Sequence, residues 1–128
     1  MIFIKYFILV NFFYSRWIDG RGKCPYSPKA NSSAFMNDNG DYYIAGSTDF
    51  SANDYTIYRM SGANLDQALV RTEPYNPLYM TQPNFVLTFE TDQFVYFVFR
   101  ENAIEYMNCG KTIYSRIARY VWFQIKCQ

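Results

Sequence analysis

Histidine is absent from this 128-residue chain. Because histidine is the commonest general base near neutral pH and the commonest metal ligand, its absence argues against an enzyme or a metal centre. An excess of either charge is also lacking, with 12 lysines and arginines against 11 aspartates and glutamates. The sequence therefore does not indicate a basic surface for nucleic acid or for anionic membranes. The apolar run Met1–Tyr14 is shorter than the roughly 20 residues that a membrane-spanning helix needs.

Cysteine is scarce, and the three present, Cys24, Cys109 and Cys127, form no C-x-x-C pair. Zinc binding and thioredoxin-type redox chemistry therefore lack the spacing they require. Two interpretations stay open: buried thiols of an intracellular protein, or cysteines of a secreted protein whose partners lie outside this chain. The triplet beginning at Asn31 is a sequon, which predicts N-glycosylation in a protein that enters the secretory pathway.

Aromatic residues, in contrast, are abundant, with 13 Tyr, 12 Phe and 2 Trp. So much ring surface must be buried, and Tyr and Phe favour strands, so we predict an all-β fold. Two sets of strands follow from local patterning. The first set is Ser33–Asp38, Asp41–Ser47 and Tyr55–Met60, and the second is Asn84–Thr91, Gln93–Arg100 and Thr112–Tyr120.

The segments between these strands are predicted from their turn residues. Asn39-Gly40 predicts a type I′ hairpin turn, since both residues tolerate positive φ. Ser61–Pro83 contains one glycine and three prolines, which predicts a connector with a helical turn around Leu65–Val70. Glu101–Gly110 is predicted to be a helical turn or an irregular loop.

The two strand sets repeat at a spacing of about 50 to 60 residues, near the upper end for propeller blades. Phe94–Phe99 is apolar at every position, so we expect both faces of this strand to be covered. Blades stacked around an axis would cover both faces. A small β-sandwich is the competing architecture, although its strands normally alternate more cleanly.

The beginning of the chain allows three interpretations. Met1–Tyr14 is a signal peptide, a short core strand, or a segment foreign to the rest. Arg16 and Trp17 stand where a signal peptide would have a small-residue cleavage site, which argues against the first.

Six motifs occur in one order along about a hundred residues. They are Gly20–Pro28 (GRGKCPYSP), Asp49-Phe50, Ile57–Arg59, Val70–Thr72 with Pro83–Val86, Tyr96–Glu101, and Cys109–Arg119. Together they resemble the sema domain of semaphorins, and among semaphorins the class 5 and invertebrate class 1 or 2 members. The resemblance rests on Gly20, Gly22, Pro25, Tyr26, Pro28, Asp49, Phe50, Arg59, Arg71, Thr72, Arg100, Glu101, Gly110, Lys111, Ser115, Arg116 and Arg119.

The resemblance implies a seven-bladed β-propeller, of which this chain would carry about two blades in residues 18–119. Residues 1–17 and 120–128 lie outside the match. It also implies an extracellular, secreted or cell-surface glycoprotein that binds plexin receptors, acts as a dimer, and directs axon guidance and cell migration. No catalysis, cofactor, small-molecule substrate or nucleic acid is implied. An isolated pair of blades would leave edges and apolar faces unpaired, so we expect marginal stability.

The family also implies disulfide bonds. Its cysteine at the position of Cys24 pairs with one a short distance upstream, where this chain has none. Its cysteine at the position of Cys109 pairs with one at about the position of Val121, so Cys127 is the candidate substitute here.

Other interpretations of the sequence compete with this one. A hydrolase or carbohydrate-active protein would use two of the carboxylates of Glu90, Asp92, Glu101 and Glu105. Lys111 and Ser115 lie about 13 Å apart on a strand, too far for a Ser–Lys nucleophile pair. Asn37–Asp41 is predicted to be a tight turn rather than a calcium loop, because the distal glutamate is missing. A piece of sequence with no function of its own is the remaining alternative.

Overall fold

The computed structural model describes the backbone of residues 3–10, 12–20, 24–27, 29–62, 64–105 and 110–121. It describes the side chains of 20, 24–27, 29–62, 70–105 and 110–120. This part of the chain is all-β, as predicted, and forms three antiparallel sheets. The strands are β1 Phe3–Val10, β2 Phe12–Asp19, β3 Ser33–Met36, β4 Tyr42–Ser47, β5 Tyr55–Ser61, β6 Asn64–Arg71, β7 Asn84–Thr91, β8 Phe94–Asn102 and β9 Ile113–Val121. Within those ranges, no helix is long and apolar enough to cross a membrane.

The first sheet is a single hairpin, in which β1 and β2 pair from Phe3 opposite Asp19 to Val10 opposite Phe12. The chain division that the sequence predicts after residue 17 falls inside β2, and the division after residue 119 falls inside β9. Both divisions stay predictions from the sequence.

The second sheet is a four-stranded meander in the order β3, β4, β5, β6. The helical turn predicted around Leu65–Val70 is wrong, because these residues belong to strand β6. The apolar run is short enough to suit either conformation, and pairing with the backbone of β5 decides the outcome. This pairing begins at Ser61 opposite Asn64 and is interrupted by bulges at Met60.

The hairpin between β3 and β4 has a different turn from the predicted type I′. Only Gly40 has a positive φ, of 80°, whereas a type I′ turn needs positive φ at Asn39 as well. The Gly40 N–H donates to the Asn37 carbonyl at 2.9 Å, and the Asn37 N–H donates to the Asp41 carbonyl at 3.1 Å. This is the three-residue loop that ends in a left-handed residue. The Asn37 side chain favours it by accepting a hydrogen bond from the Asp41 N–H at 2.8 Å.

The third sheet is a three-stranded meander of β7, β8 and β9, close to the predicted strands. Thr91 pairs with Phe94 across a two-residue turn, and Asn102 pairs with Ile113 across the longer β8–β9 loop. In that loop, Ile104 and Glu105 form one 3₁₀ turn, and residues 106–109 lie outside the described part.

The core lies between the second and third sheets. It contains Tyr43, Ala45 and Ile57 from one sheet, with Met80 from the connector and Phe85, Val95, Phe97 and Phe99 from the other. The expectation that both faces of Phe94–Phe99 are covered is correct for one face only. Val95, Phe97 and Phe99 are at most 4% exposed, whereas the alternate residues are half-buried. Phe89 stacked on Tyr96 and Arg119 over the Phe94 ring cover part of that second face.

Polar contacts also join these two sheets. Arg59 on β5 pairs with Asp41 at 2.5 Å and lies over the ring of Tyr43. Tyr43 in turn meets the Tyr120 ring of β9 edge-on, at 5.4 Å between centroids. Burial raises the pKa of Tyr43 to about 12, and Arg59 offsets part of this rise. The hydroxyl of Thr88, in β7, donates to Oγ of Ser33, the first residue of β3, at 2.7 Å.

Candidate functional site

The motif residues that are far apart in the sequence converge mainly at one end of the second and third sheets. We call this the motif end, and define it as residues 24–27, 29–32, 48–54, 72–83, 101–105 and 110–112. The opposite end, formed by residues 37–41 and 90–93, is called the acidic end. The strand ends explain the separation, since consecutive loops of a meander alternate between the two ends of the sheet.

The first element of the motif end is the loop that contains the C-P-Y motif. The Cys24 N–H donates to the Gly20 carbonyl at 3.0 Å, and the Tyr26 N–H donates to the Ser47 carbonyl at 3.2 Å. The loop approaches β4 closely at Gly46, where an added Cβ would lie 3.0 Å from Ser32 Cβ and 3.5 Å from Pro25. The loop backbone is therefore fixed against the sheet. Gly22 and Pro28 lie outside the described residues.

Asp49 organises the β4–β5 loop. Its carboxylate accepts hydrogen bonds from the Ser51 hydroxyl at 2.5 Å and from the backbone N–H groups of Asn53 and Asp54 at 3.0 and 2.9 Å. Burial disfavours the charged carboxylate, but these hydrogen bonds outweigh it and lower the pKa of Asp49 to about 2. The motif aspartate thus acts as the internal support of a tight loop.

Phe50 is held on the outside of this supported loop. Its side chain is 84% exposed, and its ring meets the Tyr26 ring edge-on with centroids 5.4 Å apart. Tyr26 is itself 47% exposed. Two rings from separate motifs therefore form one aromatic pair on a rigid base, which is the kind of group that serves as an anchor in protein interfaces.

Asp54 forms a second support beside the first. Its carboxylate pairs with Arg71 at 2.9 Å and accepts hydrogen bonds from the Thr48 hydroxyl at 2.8 Å and the Tyr75 N–H at 3.2 Å. Burial opposes its ionisation, yet the hydrogen bonds from Arg71, Thr48 and Tyr75 lower the pKa of Asp54. Next to it, the Thr72 hydroxyl lies 3.2 Å from both the Ile57 N–H and the Thr56 hydroxyl. Arg71 and Thr72 thereby fasten the connector to the second sheet.

Glu101 fastens the other end of the same connector to the third sheet. It pairs with Arg116 at 2.5 Å and accepts a hydrogen bond from the Thr81 N–H at 2.8 Å. Arg116 also binds Glu105 at 2.6 Å, and this bond is the main cause of a raised Arg116 pKa. The Asn102 N–H also donates to the Thr81 carbonyl at 3.2 Å, which adds a backbone hydrogen bond to this attachment.

Between these two attachments the connector presents apolar side chains to solvent. Tyr75, Leu78 and Tyr79 are 66%, 77% and 58% exposed. Tyr75 and Gln82 have φ values of 55° and 50°, and the third such residue in the described part, Ala52, lies in the β4–β5 loop. Left-handed backbone is costly for residues with a side chain, and such residues concentrate at functional sites.

Several motif residues lie outside the motif end. Arg59 lies toward the acidic end, where it pairs with Asp41, and Arg119 packs over the ring of Phe94. Arg100, Gly110, Lys111 and Ser115 are exposed, and Gly110 has a φ of 108° that favours glycine. Asn31 is exposed, as a glycosylation acceptor needs to be. Cys109 and Cys127 lie outside the described residues, so the disulfide pairing stays a prediction.

The four carboxylates considered for catalysis are divided between the two ends, with Glu90 and Asp92 at the acidic end and Glu101 and Glu105 at the motif end. The carboxyl pKa values that the structure clearly perturbs, those of Asp49, Asp54 and Glu105, are all lowered, the opposite of what a general acid needs. Glu101, considered as an acid or base, is paired with Arg116. Asn37–Asp41 forms the predicted tight turn, and the described residues contain no acidic, histidine or cysteine cluster that could hold a metal ion.

The sequence did not single out Asp54, Tyr75, Leu78 or Tyr79. The run from Ser51 to Asp54 is rich in residues that form side-chain-to-backbone turns, and this was the available signal for an ordered loop. The connector residues carry no comparable signal, because their exposure depends on attachments that are distant in the sequence.

Comparison with known proteins identifies the relatives of this chain. No family model matches it. Semaphorin 5c of Drosophila melanogaster is 44% identical over 97 residues, which are 76% of this chain and 9% of that protein. Human Semaphorin-5A is 44% identical over 102 residues, or 80% of this chain and 9% of that protein. Semaphorin-1A of Drosophila melanogaster is 45% identical over 101 residues, which are 79% of this chain and 10% of that protein.

Comparison with solved structures gives the same family. Extracellular domains 1–2 of Drosophila Semaphorin 1b superpose with a TM-score of 0.74 at 37% identity, covering 91% of this chain and 21% of that one. A chain from the complex of Drosophila Plexin A with Semaphorin 1b superposes with a TM-score of 0.71 at 40% identity, covering 85% of this chain and 20% of that one. This chain thus spans about a tenth of the curated relatives and about a fifth of the solved chains. It is a semaphorin homologue, and its two meander sheets are part of a sema-domain β-propeller.

Proposed function

We propose that this chain is part of an extracellular guidance ligand that binds a plexin-type receptor through its motif end. The observation that carries the proposal is the similarity of sequence and shape to semaphorins, one of which is solved in complex with Plexin A. In this proposal the whole protein is secreted or held at the cell surface. It directs axon guidance and cell migration by recognition and without catalysis.

The aromatic pair of Tyr26 and Phe50 is the proposed centre of the receptor contact. A phenylalanine that is 84% exposed loses much apolar surface to a partner, and each square ångström buried contributes about 25 cal/mol. The hydrogen bonds around Asp49 fix the loop before binding, so little conformational entropy is lost on association.

The connector supplies the second part of the proposed contact. Tyr75, Leu78 and Tyr79 stand between attachments to both sheets, so they are presented in a defined position. Apolar residues that are both exposed and held in place are typical of interaction sites. Because the connector touches Asp54, it lies beside the loop that carries Phe50.

Secretion has its own consequences for this chain. We propose that Asn31 carries an N-linked glycan, since it is exposed in the loop before β3. We also propose that Cys24, Cys109 and Cys127 take part in disulfide bonds in the oxidising compartment. Dimerisation of the whole ligand would bring two receptor chains together and raise avidity.

The experiment measures binding of a plexin-type receptor ectodomain to the full chain by surface plasmon resonance. Phe50→Ala should weaken binding by about 10- to 100-fold, as expected for removal of an interface hot spot. Val86→Ala is the matched control, because Val86 is also apolar and 60% exposed but lies on β7. Absence of binding by an unmodified chain that circular dichroism shows to be folded would contradict the proposed function. Equal losses for both variants would contradict the proposed location.

A further inference from the structure

The β3–β4 turn contains the one Asn-Gly pair of the sequence, Asn39 and Gly40. Asn39 is exposed and lines a polar cleft of about 440 Å³ that lies between this turn and the β7–β8 hairpin. Its side chain makes no hydrogen bond to any other described residue. The side-chain amide of Asn39 is therefore accessible to water.

An asparagine that is followed by glycine can lose its side-chain amide without an enzyme. Glycine has no Cβ, so little steric hindrance keeps the main-chain nitrogen of Gly40 from Cγ of Asn39. Hydroxide removes the proton from this nitrogen, the nitrogen bonds to Cγ, and the Cγ–Nδ2 bond breaks as Nδ2 takes up a proton and leaves as ammonia. Water then opens the cyclic imide at either carbonyl, which gives aspartate or isoaspartate. The reaction consumes water, releases ammonia and needs no oxidant or reductant.

The folded turn opposes the first step of this reaction. The Gly40 N–H donates to the Asn37 carbonyl at 2.9 Å, but in the imide the same nitrogen carries no hydrogen. The imide and this hydrogen bond therefore exclude each other. Two further hydrogen bonds between Asn37 and Asp41, at 3.1 and 2.8 Å, hold the turn closed. Gly62 packs closely against Gly40 from the next hairpin, where an added Cβ would collide with the Gly40 carbonyl.

We propose that Asn39 is a deamidation site and that opening of the β3–β4 turn controls its conversion. While the turn is closed, the attacking nitrogen is held in its hydrogen bond to Asn37. When the turn opens locally, the nitrogen is released and the Asn-Gly pair reacts as it would in a flexible peptide. Because several hydrogen bonds must break together, the folded chain should react at least about tenfold more slowly than such a peptide.

The two products change the turn in different ways. Aspartate adds a negative charge between Asp38 and Asp41, and Asp41 already pairs with Arg59. Isoaspartate also adds a methylene to the main chain between residues 39 and 40, which changes the spacing of the groups that close the turn. The inference stands on this turn alone, away from the motif end, and does not depend on the proposed function.

The test follows deamidation near neutral pH by peptide mapping with mass spectrometry, on a full chain that circular dichroism shows to be folded. The reference is a blocked peptide of residues 36–42, and the second reference is the full chain unfolded in urea. Both references should convert Asn39 at the same rate, and the folded chain should convert it at least about tenfold more slowly. Isoaspartate and aspartate should both form, because the imide opens at either carbonyl.

Two variants test the control by the turn. Asn37→Ala removes the side-chain acceptor of the Asp41 N–H and should speed conversion of Asn39 about three- to tenfold. Thr91→Ala is the matched control, because it removes a side-chain hydrogen bond, to the Phe94 carbonyl, from the neighbouring β7–β8 turn. Its rate should stay within about twofold of the unmodified chain, since the β3–β4 turn keeps its hydrogen bonds.

Three results would overturn the proposal. Equal rates in the folded chain and the peptide would show that the turn gives no protection, and so would an Asn37→Ala variant that reacts no faster than the unmodified chain. Formation of aspartate without isoaspartate would show direct hydrolysis of the amide instead of attack by Gly40. Asn39→Gln should remove the modification from this peptide, which confirms that the signal comes from Asn39.

Discussion

The motif end and the acidic end are built from the same kinds of residues but use them in opposite ways. At the motif end, Asp49, Asp54 and Glu101 are turned inward, where they accept backbone hydrogen bonds and pair with arginines. Aromatic and aliphatic side chains then occupy the exterior. At the acidic end, Asp38, Glu90 and Asp92 face solvent around a polar cleft. A carboxylate directed inward contributes to fold stability, and a carboxylate directed outward contributes to surface charge.

The largest difference between the two ends is expected in the free energy of unfolding when a single aspartate is replaced by alanine. Asp54→Ala should lower the free energy of unfolding by about 2 to 3 kcal/mol, because it leaves Arg71, Thr48 and the Tyr75 N–H without their common acceptor. Asp38→Ala should change it by less than about 0.5 kcal/mol. Urea denaturation followed by circular dichroism measures both. Similar losses in the two variants would remove the distinction between the ends.

A smaller effect is expected in acid. The folded pKa of Asp49 is about 2 and lies below its ordinary value of 3.8, so its stabilising contribution is present above about pH 4 and is lost as the pH falls toward 2. Asp54, whose pKa is also lowered, acts in the same direction. The free energy of unfolding measured from pH 5 to pH 2 should fall less steeply in Asp49→Asn than in the unmodified chain. The substitution Asp38→Asn is the control from the acidic end, and a change of slope there instead would contradict the comparison.

The smallest effect concerns backbone strain at the motif end. Ala52 has a φ of 53°, which glycine adopts without penalty, so Ala52→Gly should raise the free energy of unfolding by a few tenths up to about 1 kcal/mol. Ala34→Gly on the extended strand β3 should lower it by about 0.5 to 1 kcal/mol. Thermal denaturation of the two variants gives the comparison. A loss of stability in Ala52→Gly would show that the left-handed conformation is not strained.

The strands were largely predictable from sequence, and the exceptions have identifiable causes. Tyr55–Met60 is rich in residues that favour strands and forms β5 as predicted. The helical turn predicted around Leu65–Val70 is wrong because a short apolar run suits a helical turn as well as a strand, and pairing with β5 decides between them. The Asn39-Gly40 turn differs because the Asn37 side chain stabilises a longer loop, a contact that the Asn-Gly pair alone does not reveal.

The candidate site was predictable in its residues but not in its arrangement. The motifs identify Tyr26, Asp49 and Phe50, yet only the folded chain shows that a loop from one motif places its ring against the ring of another. Asp54 has no such signal, because its role depends on Arg71 and on the backbone of Tyr75. Local patterns specify most of the strands, whereas the arrangement of the exposed surface depends on contacts between distant segments.

Because the connector is attached to both sheets, it links the position of one sheet to that of the other. The Tyr75 amide is bonded to one sheet through Asp54, and the Thr81 amide is bonded to the other through Glu101. A separation of the sheets larger than the five residues between these amides can span would therefore break one of the two hydrogen bonds. The connector therefore limits how far the two neighbouring sheets can move apart. The positions of its exposed side chains, Tyr75, Leu78 and Tyr79, depend on both hydrogen bonds being intact.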